Sequence, residues 1–169
     1  TDKSELDAVA VARGPGSFTG VRIGVAAGKG LCWALEKPAV GVSTLEAMAW
    51  NGVNRGEGAL VCCCMDARRS QVYNALFEIS DGAPARLVPD RAISLEELAA
   101  DLAARAETPF LVGDGAMLVS EYLTDRAMRS ALAAGPMLHQ SAWGVCMAAM
   151  GKEPESAGAL LPVYLRLSQ

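Results

Sequence analysis

With 169 residues the chain can bury a real core, as one domain or as two small lobes. Its composition is 51% apolar and 20% charged with a net charge of −4, which argues against unaided binding of nucleic acid, since that needs a basic surface. It contains no apolar run of about 18 residues, so no membrane-spanning helix is expected, and no secretory leader is expected.

Near the start, the apolar run Ala8 to Ala12 reads as a buried strand. It feeds a turn made of Gly14, Pro15 and Gly16. Glycine permits positive φ and proline lacks an amide proton, so the strand cannot continue. Ser17 or Thr19 can then cap a helix running to about Leu35. Strand end, glycine turn and helix start bring backbone N–H groups toward one point. Gly14, Gly16, Ser17 and Thr19 are therefore a candidate anion site. The competing reading is a turn that only folds a helix back onto a sheet. No Gly-Lys-Ser/Thr follows, so the stretch is not a P-loop. The glycine spacing also differs from the dinucleotide-binding fingerprint.

Along that helix Gly20, Gly24 and Gly28 recur every four residues, on one face with Ala27, Leu31 and Ala34. A glycine inside a helix costs about 0.5–1 kcal/mol relative to alanine, so the stripe predicts close approach of another backbone. The opposite pole carries Arg22, Lys29 and Glu36, flanked by Val21, Val25, Cys32 and Trp33. A helix this apolar all round is buried on more than one side. Its second cover is either a further layer of its own domain or a partner protein, and the pattern allows both. If the glycine face packs inside, the Arg22 pole faces outward.

Pro38 ends the helix, and Ala39 to Val42 reads as a short strand. Ser43 or Thr44 caps a second helix ending near Trp50-Asn51-Gly52. The glycine-containing loop Asn51 to Gly58 is the best lobe boundary. Leu60 to Met65 is continuously apolar, as a strand covered on both faces should be. After the polar turn Asp66-Ala67-Arg68-Arg69-Ser70, Gln71 to Ile79 reads as its hairpin return, with Tyr73, Ala75, Phe77 and Ile79 on one side. Ser80 to Pro84 is a turn and Arg86 to Val88 a short third strand. Ser94-Leu95-Glu96-Glu97 matches a capping box for a helix from Leu95 to about Ala106. Pro109 to Val112 is a strand, followed by Gly113-Asp114-Gly115 and a helix through Tyr122. Ser141 to Gly151 is the last helix, with Trp143, Met147 and Met150 expected inward, and Ala157 to Leu167 a loop and final extended piece. Strands alternating with helices, plus one hairpin, predict an α/β fold with a partly mixed sheet.

Chemistry-bearing residues are sparse. Cys32, Cys62, Cys63, Cys64 and Cys146 form no Cys-x-x-Cys pair, which argues against zinc; the three adjacent cysteines, Cys62 to Cys64, read as small buried residues with free thiols, fitting a reducing cytoplasm. A single histidine, His139, cannot form a pair of metal ligands, and nothing near it supports a Ser-His-Asp triad. Asp66 follows a strand and Asp114 lies between glycines, but no set for Mg²⁺ and a base is complete; an internal ion pair or a turn contact is expected of Asp66-Ala67-Arg68, and completion of a turn of Asp114.

Ala12-Arg13-Gly14-Pro15-Gly16-Ser17-Phe18-Thr19-Gly20-Val21-Arg22-Ile23-Gly24 and Pro38-Ala39-Val40-Gly41-Val42-Ser43-Thr44-Leu45 resemble the TsaB (YeaZ) family. So do Asp66-Ala67-Arg68 with Val72-Tyr73, and Pro162-Val163-Tyr164-Leu165-Arg166. The resemblance keeps order and spacing over nearly the whole chain. It implies an α/β actin-like/sugar-kinase-type (ASKHA) fold, with mixed sheets flanked by helices. It has two lobes, residues 1–52 as the remainder of a truncated first lobe and 53–169 as the second. Family members open with a strand, a hairpin and a long helix; this chain opens at Thr1, just before its first strand. The implied function is that of a noncatalytic scaffold in the machinery that makes threonylcarbamoyladenosine (t6A) in tRNA, with no cofactor, metal or catalytic residue. Its implied partners are a TsaD-like catalytic subunit, a TsaE-like ATPase and a second copy, with tRNA reached only through the complex and no membrane. Gly20, Val21, Arg22, Gly24, Val25, Gly28, Lys29 and Trp33 are the candidate partner face. The alternatives are a residual nucleotide-binding ATPase or kinase lobe and a glycoprotease-like hydrolase.

Overall fold

A computed structural model describes residues 3–166, apart from the side chain of Ser4; Leu167, the end of the expected extended piece, lies outside the described residues. β1 (Val9–Ala12) and β2 (Ala39–Val42) pair in parallel, Val9 opposite Ala39 and Ala12 opposite Val42. The crossover between them is α1 (Phe18–Leu35), whose cap is Ser17: its Oγ accepts the Gly20 N–H at 3.2 Å. Among the described residues no strand pairs with the other edge of β1.

A second sheet of five strands runs in the order β5-β4-β3-β6-β7. β3 (Leu60–Asp66), β4 (Gln71–Ser80) and β5 (Ala83–Ser94) are antiparallel, while β6 (Phe110–Val112) and β7 (Ala131–Leu132) run parallel to β3. β3 is apolar throughout because both its faces are covered. Leu60, Cys62 and Cys64 pack with α3 (Leu95–Ala103) and α4 (Ala116–Thr124). Val61 and Cys63 pack, with Ala75, Phe77 and Ile79 of β4, against Leu45, Met48 and Ala49 of α2 (Thr44–Ala49). Burial pushes the Cys63 thiol well up. A hydrogen bond with Cys62, together with burial, does the same for Cys64. Both are inert apolar filler at neutral pH.

Several elements differ from the sequence reading. β5 is 12 residues long, not the three of Arg86 to Val88. It is an edge strand, where Pro89 is tolerated because one side of the strand needs no ladder donor. β7 was not anticipated; two residues leave no pattern to read. α3 stops at Ala103, where Arg105 turns back to pair with Asp101. The last helix, α5 (Ala142–Ala149), buries Gly144 and Ala148; Trp143 is 52% and Met150 71% exposed, against their expected inward placement. Backbone proximity decides this, because a Cβ on Gly144 would sit 2.3 Å from the Ala47 carbonyl oxygen. Only small residues fit between α5 and α2.

The glycine stripe of α1 also needs correction. The buried line of this helix is Val25 and Cys32, packed on β1, β2, Ala157 and Leu160 with Val21 beside them. A Cβ on Gly24 would meet nothing within 4 Å, and one on Gly20 only Ser17 of the same turn. Only Gly28 is in close approach, with its Cβ position 2.7 Å from Val11 Cγ2. Gly24→Ala should therefore raise stability by about 0.5–1 kcal/mol through helix propensity. Gly28→Ala should lower it by about 1–2 kcal/mol through overpacking. Thermal melting of both variants checks this; equal shifts would contradict the assignment of faces.

One buried polar network ties β4 and β5 to α3. Asn74, fully buried, donates to the Cys63 carbonyl at 3.0 Å and accepts from Arg91 at 2.9 Å. Arg91 also pairs with Asp101 at 2.5 Å, and Arg105 reaches the other oxygen of that carboxylate at 3.3 Å. Burial raises the Asp101 pKa, but Arg91 and Arg105 outweigh it and hold the carboxyl below its ordinary value. A pKa lowered by folding means stability that is present above the unfolded value and lost as pH falls through the folded one. Asp101→Asn should cost about 1–2 kcal/mol at pH 7. Its melting curve should converge on the parent's as pH falls below about 4. A cost that persists in acid would show that packing, not charge, is responsible.

Candidate functional site

The turn after β1 is clamped from two sides. Arg13 O accepts the Val163 N–H at 2.7 Å, and Gly14 O accepts the Thr44 N–H at 2.9 Å. Gly14 has φ +120°, and a Cβ there would lie 2.4 Å from Val163 O, so only glycine fits beneath the chain's final segment. Of the four candidate anion-site residues, Gly14 is thus buried under the tail and Thr19 lies exposed on α1, while Gly16 and Ser17 line a cleft. That cleft also holds Asp66 and Asp114. Asp66 Oδ1 accepts the Arg68 N–H at 2.7 Å, and Asp114 Oδ1 accepts the Asp66 N–H at 3.3 Å. Both carboxylates thus make turn contacts.

The polar pole of α1 holds the chain's own tail. Lys29 Nζ donates to the Gly158 carbonyl at 3.2 Å, and Arg22 Nε donates to the Tyr164 hydroxyl at 2.9 Å. The Arg22 guanidinium also lies 3.9 Å from the Phe18 ring centre, and the Phe18 and Tyr164 rings are 5.2 Å apart. Arg13 adds an ion pair to Glu155 at 3.4 Å. Residues 155 to 166 therefore form a strap over β1 and α1. Arg22 remains exposed, yet its partner is this strap. The sequence carried no signal for that pairing, because Arg22 and Tyr164 are 142 residues apart.

Of the expected partner-face residues, Val25 is 3% exposed and packs on the sheet, with Val21 and Gly28 half-buried beside it. Gly20, Gly24 and Trp33 are exposed. The outer face of α1 is apolar: Ile23 is 64%, Leu31 47% and Trp33 70% exposed, with Ala27, Gly30 and Ala34 exposed around them. Ile23 was missed because the periodicity of a helix that is apolar all round does not select a face. Gly20, Gly24 and Gly28 instead line a groove of 660 Å³ along the free edge of β1, with Ala142 and Val145 on its far wall.

His139 is exposed; its carbonyl, with that of Met137, accepts from the buried Asn51 amide, each at 2.8 Å. Among the described residues no group of three His, Cys, Asp or Glu side chains could hold a metal ion. No described helix is long and apolar enough to cross a membrane.

Residues 1–112 match a family model described as TsaD, tRNA N6-adenosine threonylcarbamoyltransferase. Among solved structures, a Pseudomonas aeruginosa protein described as similar to peptidase YEAZ superposes with a TM-score of 0.80. It is 32% identical, over 98% of this chain and 76% of that one. YeaZ from Pseudomonas aeruginosa gives 0.78 and 30% identity, over 97% and 76%. The fold is thus of the actin-like/sugar-kinase (ASKHA) type, an α/β arrangement of mixed sheet and flanking helices carrying a TsaD-like domain. The tRNA threonylcarbamoyladenosine biosynthesis protein TsaB of Bacillus subtilis is 35% identical over 167 residues, 98% of this chain and 72% of the relative. That of Escherichia coli is 42% identical over 78 residues, 46% of this chain and 34% of the relative. The chain belongs to the TsaB (YeaZ) family.

Proposed function

We propose that this chain is a noncatalytic subunit of the tRNA threonylcarbamoyladenosine machinery, binding and positioning a TsaD-like catalytic partner. The observation that carries this reading is the exposed apolar face of α1, where Ile23, Leu31 and Trp33 stand clear of the chain's own core. An apolar helix face of this kind marks an interaction surface. The turn roles of Asp66 and Asp114 support a chain that works through its partner. A TsaE-like ATPase joins the same assembly, a second copy competes for the same face, and tRNA is reached only through the complex. In this reading residues 1–52 belong to the first lobe and 53–169 to the second, whose last segment straps back over the first.

Co-purification and calorimetric titration with a TsaD-like protein test the proposal. Tight one-to-one binding is expected, with no ATP or peptide hydrolysis by the chain alone. Turnover that survives purification and is lost in Asp66→Asn or Asp114→Asn would overturn it.

A further inference from the structure

The strap that carries Pro162-Val163-Tyr164-Leu165-Arg166 has two unlike halves. Burial holds the first. Glu155 exchanges both of its backbone hydrogen bonds with Ala39 on β2, at 2.8 and 2.9 Å. Ala157 and Leu160 then enter the core beside Val25 and Cys32, Leu160 completely. Beyond Leu160 burial stops. None of residues 161 to 166 is buried, and Leu161 is 61% exposed.

Directional bonds hold the second half. The Val163 N–H donates to Arg13 O at 2.7 Å, the Tyr164 hydroxyl accepts from Arg22 at 2.9 Å, and Arg166 donates to Ala67 O at 2.6 Å. The three partners lie on three elements: the end of β1, α1, and the turn between β3 and β4. The last bond therefore crosses from the two-stranded sheet to the five-stranded one. Each bond is a modest net gain, and together they oppose the conformational entropy of six ordered residues. A segment balanced in this way opens locally while the rest of the fold stays intact. We infer that residues 161–166 are a clasp, hinged at Leu160, that joins the start of α1 to the β3–β4 turn and opens and closes as one unit. Opening uncovers Gly14, over which the Val163 carbonyl lies, and frees Arg22 and Phe18 on α1. The clasp stands on the chain's own contacts, so it does not depend on partner docking.

Hydrogen exchange of the Val163 amide, followed by NMR on the chain alone, tests this, because that proton is released when the clasp opens. Arg22→Leu cuts the clasp from α1, and Arg166→Ala cuts it from the turn; neither removes the Val163 bond itself. Each should speed exchange about tenfold, the loss of one net hydrogen bond. In the double variant the two factors should multiply, since both act on one opening. Lys29→Ala removes a bond to Gly158 on the buried side of the hinge and should leave Val163 exchange unchanged. If Arg22→Leu does not fold, Tyr164→Phe removes the same bond from the other side and carries the same expectation. Val163 exchange unmoved by either cut would show that the bonds break independently. Exchange sped as much by Lys29→Ala would show that the strap has no hinge at Leu160. Either result overturns the clasp.

Discussion

Gly113→Ala should cost about 3–5 kcal/mol, the largest loss expected from any single methyl group in this chain. Gly113 has φ +108°, a region L-residues avoid, and a Cβ there would lie 2.0 Å from the Cys64 carbonyl oxygen. The clash is with backbone, so no rotamer relieves it. The loop is also pinned: the Gly113 N–H donates to Leu138 O, and the Gly115 N–H to Cys64 O at 3.1 Å. Moving it would separate β3 from β6 where the two pair in parallel. Against a total stability of about 5–15 kcal/mol, such a loss lowers the melting temperature by roughly 10 °C or more. Gly82→Ala is the control: its φ is +72° but nothing lies within 4 Å, so it should cost only about 1 kcal/mol. If Gly113→Ala melts with the control, the loop yields more easily than its contacts suggest.

Trp33→Ala and Ile23→Glu should reduce affinity for a TsaD-like partner by about 30-fold or more while leaving the melting temperature within a few degrees. Both side chains are mostly exposed, so truncation removes little of the chain's own packing. Arginine and tryptophan serve as interface anchors, yet Arg22 does not separate the two effects: Arg22→Glu also cuts the strap at Tyr164 and Phe18. It should lower both melting temperature and affinity. Leu87→Ala, exposed on the edge strand β5, is the control and should change neither. Trp33→Ala with unchanged affinity would move the partner surface off α1. Sedimentation of the chain alone shows whether a second copy uses the same face: Ile23→Glu should then dissociate it.

The local elements were legible because local chemistry specifies them. Ser17, Ser43 and Ser94 cap the helices expected of them, and the Ser94–Glu97 capping box forms both of its bonds. The hairpin of β3 and β4, and the two-faced burial of Cys62, Cys63 and Cys64, follow from a continuous apolar run. The motif around Gly14 marked the family, since a glycine at that spacing answers to one backbone geometry.

What lay beyond the sequence is orientation. α1 is apolar nearly all round and α5 on every side, so periodicity cannot say which face turns inward. In α1 the choice falls on Val25 and Cys32, leaving Ile23 and Trp33 outside and Gly24 open. In α5 it falls on Gly144, because Ala47 O comes too close for any larger residue. The strap from Glu155 to Arg166 is likewise a tertiary outcome. It joins Arg13, Arg22 and Lys29 to residues more than a hundred positions away. Those partners meet only once β1 and β2 have paired around α1. Local propensity and spacing thus determined most of the elements and the resemblance to the family, but not β7 or the length of β5. Which surfaces stayed exposed was decided by the close contacts made as the elements packed.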